Sequence, residues 1–429
     1  MNFTPSIEFA TQTEIISFQE NKLLELLRYV SEKSKYYQSV FAANTIDVKN
    51  IKTISDLQSI PFTSKDDLAK FNTDFLCVDK NTIADYVTTS GTTNEPVTFY
   101  LTTNDLERLA YNEAISLCCA DGSENDIYQL TITIDKQFMA GLAYFLGIRK
   151  LNAGLIRTGP GMPYLQWESI QRFSPTVLIA IPSFIPKLIS YAIEHNINYK
   201  NTSVKSIISI GEPIRNKDFS LNELGKRILS QWDVKLYSTY ASTEMGAAFT
   251  ECKAGRGGHH HPELLLLEVL DENGKAVSEG ELGEIVITTL GVEGMPLLRY
   301  KTGDLCHVYY STCDCGRNTI RLGPVVGRKQ QMIKFKGTTI FPPAIFDVLD
   351  KLSAIEIYQV EVSRNEFGND NVTVLIPQEI QSEEFEEELQ SLFKSKLRVT
   401  PAIKFLPANE LSIKIFNPVK RKPEKIIYI

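Results

Sequence analysis

Residues 128–134 (YQLTITI), 176–181 (TVLIAI) and 204–210 (VKSIISI) are short apolar runs, and the stretches between them space their apolar residues as helices do. Helices that alternate with such runs connect strands lying side by side in the same direction. The alternation from about 104 to 240 therefore predicts an α/β fold built on a largely parallel sheet.

Upstream, residues 14–42 show helical apolar spacing (Ile15, Leu23, Leu24, Leu27, Tyr36, Tyr37), and Thr63 or Ser64 can cap a helix that begins with Asp66 and Asp67. Residues 83–102 (IADYVTTSGTTNEPVTFYLT) read as strand, polar turn, strand. Downstream, residues 264–290 (LLLLEVLDENGKAVSEGELGEIVITTL) read as strands around an Asn273-Gly274 turn, which predicts a β-subdomain over about 250–325. The tail from 330 to 429 is a small α+β unit: residues 356–376 read as a hairpin and 382–397 as an amphipathic helix. The predicted boundary lies near Gly327–Gln331, giving domains 1–328 and 329–429.

The chain of 429 residues is 43% hydrophobic and 23% charged, which suits two globular domains. A net charge of -7 argues against general nucleic-acid binding. The most apolar stretch, Val177 to Ile189, is broken by Pro182, Ser183, Pro186 and Lys187, so no membrane span is expected. The acidic first twenty residues lack the apolar core of a secretory signal, which points to the cytoplasm and to reduced cysteines. Of the seven cysteines, Cys77, Cys118 and Cys119 read as packing residues, whereas Cys252, Cys313 and Cys315 stand apart.

Four segments carry chemistry. Residues 88–96 place five hydroxyls and a glycine between two strands, a turn that can wrap an anion with O–H and N–H donors. It is not a Walker loop, because no Gly-Lys-Ser/Thr follows and the next element is a strand. Residues 237–244 (YSTYASTE) follow an apolar strand, VKL, where ligands of open parallel sheets bind. Tyr240 there could stack a base, Thr243 reach a phosphate and Glu244 hold Mg²⁺ through oxygen. Residues 295–304 (MPLLRYKTGD) end on an aspartate able to accept two hydrogen bonds from a ribose diol; alone, it is also an ordinary turn former. Residues 327–337 (GRKQQMIKFKG) fall where a hinge would sit.

Taken in order, these segments resemble the superfamily of acyl-CoA synthetases, adenylation domains and luciferases, and within it the phenylacetate–coenzyme A ligase family. The resemblance runs from FQENKLLELLRYVSEKSKYYQSVF and IPFTSKDDL through SGTT, SIGEPI, YASTE, GELGEIVITTLGVEGMPLLRYKTGDL, CDCGR, GRKQQMIKFKG and IFPPAIF. It implies a large N-terminal adenylate-forming domain and a small mobile C-terminal one. It also implies activation of a carboxylic acid by ATP to acyl-AMP, then transfer to coenzyme A, with Mg²⁺ as cofactor. By position, Ser90, Gly91, Thr92 and Thr93 would hold the β- and γ-phosphates. Gly211, Glu212 and Pro213 would flank adenine, with Tyr240, Ala241 and Ser242 beside it. Thr243 would touch the α-phosphate and Glu244 would hold Mg²⁺. Asp304 would grip the ribose, with Arg328 nearby, and Lys336 and Gly337 complete the hinge-side motif. Lys422 would bridge the substrate carboxylate and the α-phosphate.

Three departures stand out: Asn94-Glu95 in the phosphate turn, Lys329-Gln330-Gln331 at the hinge, and a terminal lysine without its preceding glycine. The last leaves Lys420 and Lys425 as alternatives to Lys422. Together they keep open a binding protein that has lost catalysis. The acceptor is open between coenzyme A and an acyl carrier protein. A second copy of the chain is a candidate partner. Phe138, Met139 and Tyr144 favour an apolar or aromatic acid.

Separately, Cys252, His259, Cys313 and Cys315 offer the four ligands of a structural Zn²⁺ site. The same four positions recur in ligases that the chain resembles. His260 and His261 adjoin His259, which leaves the nitrogen ligand open.

Overall fold

A computed structural model describes residues 3–89, 96–336, 338–364, 370–416 and 423–429. The chain divides into two units, one of residues 1–220 and 228–324, the other of 221–227 and 325–429.

In the first unit the strands are β1 Ile83–Thr88, β2 Thr98–Thr102, β3 Ile127–Leu130, β4 Gly154–Arg157, β5 Val177–Ala180, β6 Ser206–Ile210 and β7 Lys235–Ser242, then β8 Ala247–Glu251, β9 Gly258–His259, β10 Leu265–Leu270, β11 Leu282–Thr289, β12 Tyr300–Tyr309 and β13 Arg321–Leu322. Its helices include α1 Gln12–Lys33, α2 Lys35–Ala43, α3 Lys65–Lys70, α4 Thr103–Cys119, α5 Met139–Lys150, α6 Pro163–Phe173 and α7 Phe184–Glu194. One sheet runs in the order β10-β11-β12-β13-β9-β8-β7-β6-β5-β3-β4. Strands β3 to β7 pair in parallel. From β7 to β8 onward the pairing is antiparallel. The segment read from sequence as a β-subdomain thus continues the hydrogen-bonded path of the parallel strands.

Burial explains the parallel half. Every residue of β5 and β6 is buried, as expected where helices cover both faces of a sheet. The helical signal over 14–42 resolves into α1 and α2, which break at Ser34; its hydroxyl accepts from Tyr37 N and caps the second. Ser64, rather than Thr63, caps α3, with Asp67 closing a capping box. Thr63 instead donates its hydroxyl to Leu298 O at 2.8 Å. β1 and β2 form the antiparallel hairpin expected around the polar turn.

In the second unit, strands Gln359–Arg364 and Asp370–Pro377 form the hairpin, flanked in parallel by Ile426–Tyr428 and Ala402–Leu406. Ser382 caps the helix Glu383–Leu397, whose Leu389 and Phe393 pack with Ile345 and Leu349 of Pro342–Asp350. Among the described residues no helix is long and apolar enough to cross a membrane.

Candidate active site and metal centre

Of the residues selected from sequence, Gly211 to Pro213 and Tyr240 to Glu244 lie where the parallel strands β6 and β7 end. Ile210, last of β6, lies opposite Thr239 of β7, and Gly211 follows where this parallel ladder ends. Gly211 has φ +76°, a conformation that only glycine adopts cheaply. β7 does not stop at Leu236 as the sequence suggested but continues through Ser242, so Tyr240, Ala241 and Ser242 are strand residues. Thr243 to Gly246 form the turn into antiparallel β8, and Ser242 Oγ accepts Met245 N at 3.3 Å.

Tyr240 donates its hydroxyl to Asp304 Oδ2 at 2.7 Å, bringing together two residues separated by 64 positions. Burial, reinforced by the Asp304 carboxylate, holds the Tyr240 phenol well above its ordinary pKa, so it stays a donor. Asp304 follows Gly303 (φ +76°) and donates its N–H to Thr302 Oγ1 at 3.1 Å, which turns the carboxylate toward β7. Glu244 accepts at 3.4 Å from Tyr300 Oη. Tyr300 was quoted within the motif but not singled out, because only the fold shows that its ring reaches the Glu244 turn. The Glu212 carboxylate accepts from Ser183 N and Ser183 Oγ, both at 3.0 Å, so its side chain ties the loop to the start of α7.

Arg215, four residues after Gly211, grips Glu251 on β8 with Nε to Oε2 at 2.7 Å and Nη2 to Oε1 at 2.9 Å. Nη1 of the same guanidinium donates to Phe219 O at 3.1 Å. This strap across residues 215–219 was not visible in the sequence, where Glu251 had no marked neighbour.

Arg328 and Lys336 belong to the second unit, where Lys336 Nζ donates to Thr400 O at 2.9 Å. Ser90, Gly91, Thr92, Thr93, Asn94, Glu95, Gly337, Lys420 and Lys422 lie outside the described residues. Lys425 sits 5.1 Å from the Tyr358 ring centre and 5.7 Å from that of Phe346.

A cavity of about 30 Å³ lies against the Glu244 turn; its walls include Met139, Thr243, Glu244, Arg108, Phe99 and Met295. Of the residues expected to bind the acid, Met139 lines it, whereas Tyr144 is buried close to Glu113 and Thr239. A larger cleft of about 910 Å³, bordered by Lys33, Lys35, Lys80 and Glu293, contains none of the residues selected from sequence.

The four metal-type ligands converge. One ligand atom each from Cys252, His259, Cys313 and Cys315 lies within 4.8 Å of all the others. Cys252 and Cys313 Sγ are 3.7 Å apart, and Cys315 Sγ is 3.5 Å from His259 Nε2. A zinc tetrahedron with bonds near 2.3 Å to sulfur and 2.0 Å to nitrogen has edges of about 3.5–3.8 Å, so the donor set fits. Hydrogen bonds from Cys252, then Cys313, hold the Cys315 thiol far below its ordinary range. His259 Nδ1 meets Thr319 Oγ1 at 3.1 Å, which orients the ring. The neighbouring histidines point elsewhere. His260 Nε2 meets Leu265 O at 2.7 Å, and burial pushes that ring down to about 4. His261 Nδ1 meets Glu8 Oε1 at 2.5 Å and Nε2 meets Ser116 Oγ at 3.1 Å. Glu8, fully buried, also accepts from Arg317 Nε, whose Nη1 lies 3.6 Å from Cys315 Sγ.

Comparison with known proteins gives a context for this geometry. The model of the AMP-binding enzyme family matches residues 26–294. A phenylacetate-coenzyme A ligase of Thermus thermophilus is 30% identical over 370 residues, 85% of this chain and 82% of its own. One of Escherichia coli is 27% identical over 371 residues, covering 83% and 81%. Among solved structures, a 2-hydroxyisobutyryl-CoA ligase in complex with 2-HIB-AMP superposes with a TM-score of 0.87 at 21% identity, over 100% of this chain and 93% of that one.

Proposed function

Because this chain belongs to the AMP-binding enzyme family, we propose a division of labour among its residues for the reaction of an AMP-forming acid–CoA ligase. In the first half-reaction a carboxylate oxygen attacks the α-phosphorus of ATP, and pyrophosphate leaves. In the second, a thiol attacks the carbonyl carbon of the acyl-adenylate, and AMP leaves with the bonding electron pair. No side-chain nucleophile is required, in keeping with a chain that carries no Ser-His-Asp or Cys-His motif.

The observation that carries the assignment is the Tyr240–Asp304 contact at the end of the parallel strands, beside Gly211 and one turn from Glu244. There Asp304 accepts from the ribose hydroxyls and Tyr240 offers its ring to adenine, held by the same bond that orients Asp304. Glu244 would hold Mg²⁺, which supplies neutralising charge for the phosphates. Ser90, Thr92 and Thr93 are assigned the phosphates, and Lys422 the substrate carboxylate, on the positions of their motifs. The first unit is assigned catalysis and the second, which holds Arg328, a turn between half-reactions, a division suited to two steps of different geometry.

The acid is apolar or aromatic, supported by Met139 near the Glu244 turn and by relatives named phenylacetate-coenzyme A ligases. Coenzyme A is the acceptor; a carrier protein is the second reading, since both present the same thiol. Zn²⁺ is assigned to Cys252, His259, Cys313 and Cys315, supported by their convergence within 4.8 Å and by two separations, 3.7 and 3.5 Å, near tetrahedral edges. Its role is structural, since four protein ligands leave no open position.

The test is AMP release from ATP with a panel of carboxylic acids, run with coenzyme A, with a carrier protein and with neither. Acid-dependent AMP that requires coenzyme A supports the assignment. A requirement for the carrier protein selects the second reading, and ATP binding without AMP defeats both.

A further inference from the structure

Helix α4 presents three polar residues, Asp105, Arg108 and Asn112, at the spacing of one helical face. All three grip backbone of other segments. Asp105 Oδ1 accepts from Glu293 N at 2.8 Å, and Oδ2 from Gly294 N at 2.9 Å. Asn112 Oδ1 accepts from Ala248 N at 3.0 Å. Between them Arg108 donates Nε to Leu290 O at 2.7 Å, Nη1 to Gly246 O at 2.8 Å and Nη2 to Leu264 O at 2.7 Å.

A guanidinium suits this task because its rigid planar fork meets three carbonyls in three directions, which a lysine ammonium on a flexible stem does not. Burial is costly for this cation: it pushes Arg108 down to about 10, with Asp105 and Glu263 only partly offsetting the loss of water. At neutral pH the group remains charged. Gly246, one of the three residues it holds, lies two positions after Glu244 and has φ +52°. A Cβ on Gly246 would come within 3.3 Å of Arg108 Nη1. Arg108 also borders the small cavity whose walls include Thr243 and Glu244.

We propose that Arg108 is a positioning residue for acyl-adenylate formation: it fixes the backbone of the Thr243–Gly246 turn from behind and so sets where Glu244 meets magnesium-bound ATP. The inference rests on the reading of Glu244 as the magnesium residue. In this role Arg108 acts through its bond to Gly246 O.

Two half-reactions separate this role from plain support. Arg108→Lys keeps a cation but cannot reach all three carbonyls; Gly246→Ala disturbs the same contact from the other side. In both, acid-dependent pyrophosphate exchange is expected to fall about tenfold, as for a displacement of a fraction of an ångström in a catalytic group. The Mg²⁺ concentration for half-maximal rate rises with it, while thiolysis of supplied acyl-adenylate by coenzyme A stays within about twofold, because that step needs no phosphate neutralisation. Melting temperature is recorded alongside. Equal losses in both half-reactions, or an unchanged Mg²⁺ requirement in the folded variants, overturn the proposal. Should Arg108→Lys fail to fold, Gly246→Ala decides alone. Glu244→Gln is the control. If it leaves the Mg²⁺ requirement unchanged, the reading of Glu244 falls and the inference with it. If it shifts that requirement and the other two variants do not, only the inference falls.

Discussion

Glu251→Ala should weaken ATP binding and stability together. The Glu251 side chain is 1% exposed and accepts three hydrogen bonds, from Arg215 Nε at 2.7 Å, Arg215 Nη2 at 2.9 Å and Ser238 N at 2.8 Å. Truncation leaves a guanidinium of 16% side-chain exposure without its partner and orphans the Ser238 N–H. Breaking one side of a buried ion pair costs about 3–5 kcal/mol, most of it the uncompensated charge that remains. At roughly 2–4 °C per kcal/mol for a large unit, the melting temperature should fall by about 10 °C. Arg215 straps the segment that begins at Gly211, so the KM for ATP should rise about tenfold while the KM for the acid changes little. Glu251→Gln, which keeps one acceptor, should fall between. The assay pairs thermal unfolding with AMP release at varied ATP and varied acid. An unchanged melting temperature would refute the energetic reasoning. A lowered one with an unchanged KM for ATP would refute the link from strap to adenine loop.

Asp304→Asn should raise the KM for ATP by roughly 10- to 100-fold, the worth of a hydrogen bond to a charged acceptor, with a smaller effect on thiolysis of supplied acyl-adenylate; similar KM values would remove Asp304 from the ribose. Cys313→Ser combined with Cys315→Ser should leave the purified protein without stoichiometric zinc by metal analysis and lower its melting temperature; full zinc content would place the metal elsewhere. Glu113 is buried, and desolvation pushes it up to about 8 from an ordinary 4.5. Between those values the folded state keeps a proton that the unfolded state has released, so stability declines as pH rises through that window and levels off above it. Glu113→Gln should flatten the slope of melting temperature between pH 5 and 8; parallel curves would show that Glu113 does not titrate there.

Much of the architecture was legible because burial leaves a one-dimensional trace. Strands covered on both faces, such as 177–180 and 206–210, are wholly buried and rich in isoleucine, leucine and valine, and Ser64, ahead of an acidic first turn, announces its helix locally. Tyr240, Glu244 and Asp304 were selected for another reason, the order of short motifs along the chain, and the fold brings the first and last into a hydrogen bond. What the sequence hid is contact at a distance. Arg108 donates to carbonyls 138, 156 and 182 positions away, and backbone acceptors have no residue type to read. Tyr300 reaches Glu244 and Arg215 reaches Glu251 only once β7, β8 and β12 are aligned. The end of β7 was misplaced because Ser238 and Thr239 look like loop residues, yet Thr239 buries its hydroxyl against Thr250 at 2.7 Å.

The fastening of Glu8 has a consequence for the order of assembly. Its carboxylate is closed off by His261 and Arg317, 253 and 309 positions further along, and Asn318 donates its N–H to Glu8 O. During synthesis this turn can therefore close only after residues 317 and 318 have been made. Closing so long a loop is slow but adds little to its entropic cost, which grows only with the logarithm of length. The turn at Glu8 thus locks late, onto the loop that carries Cys313 and Cys315.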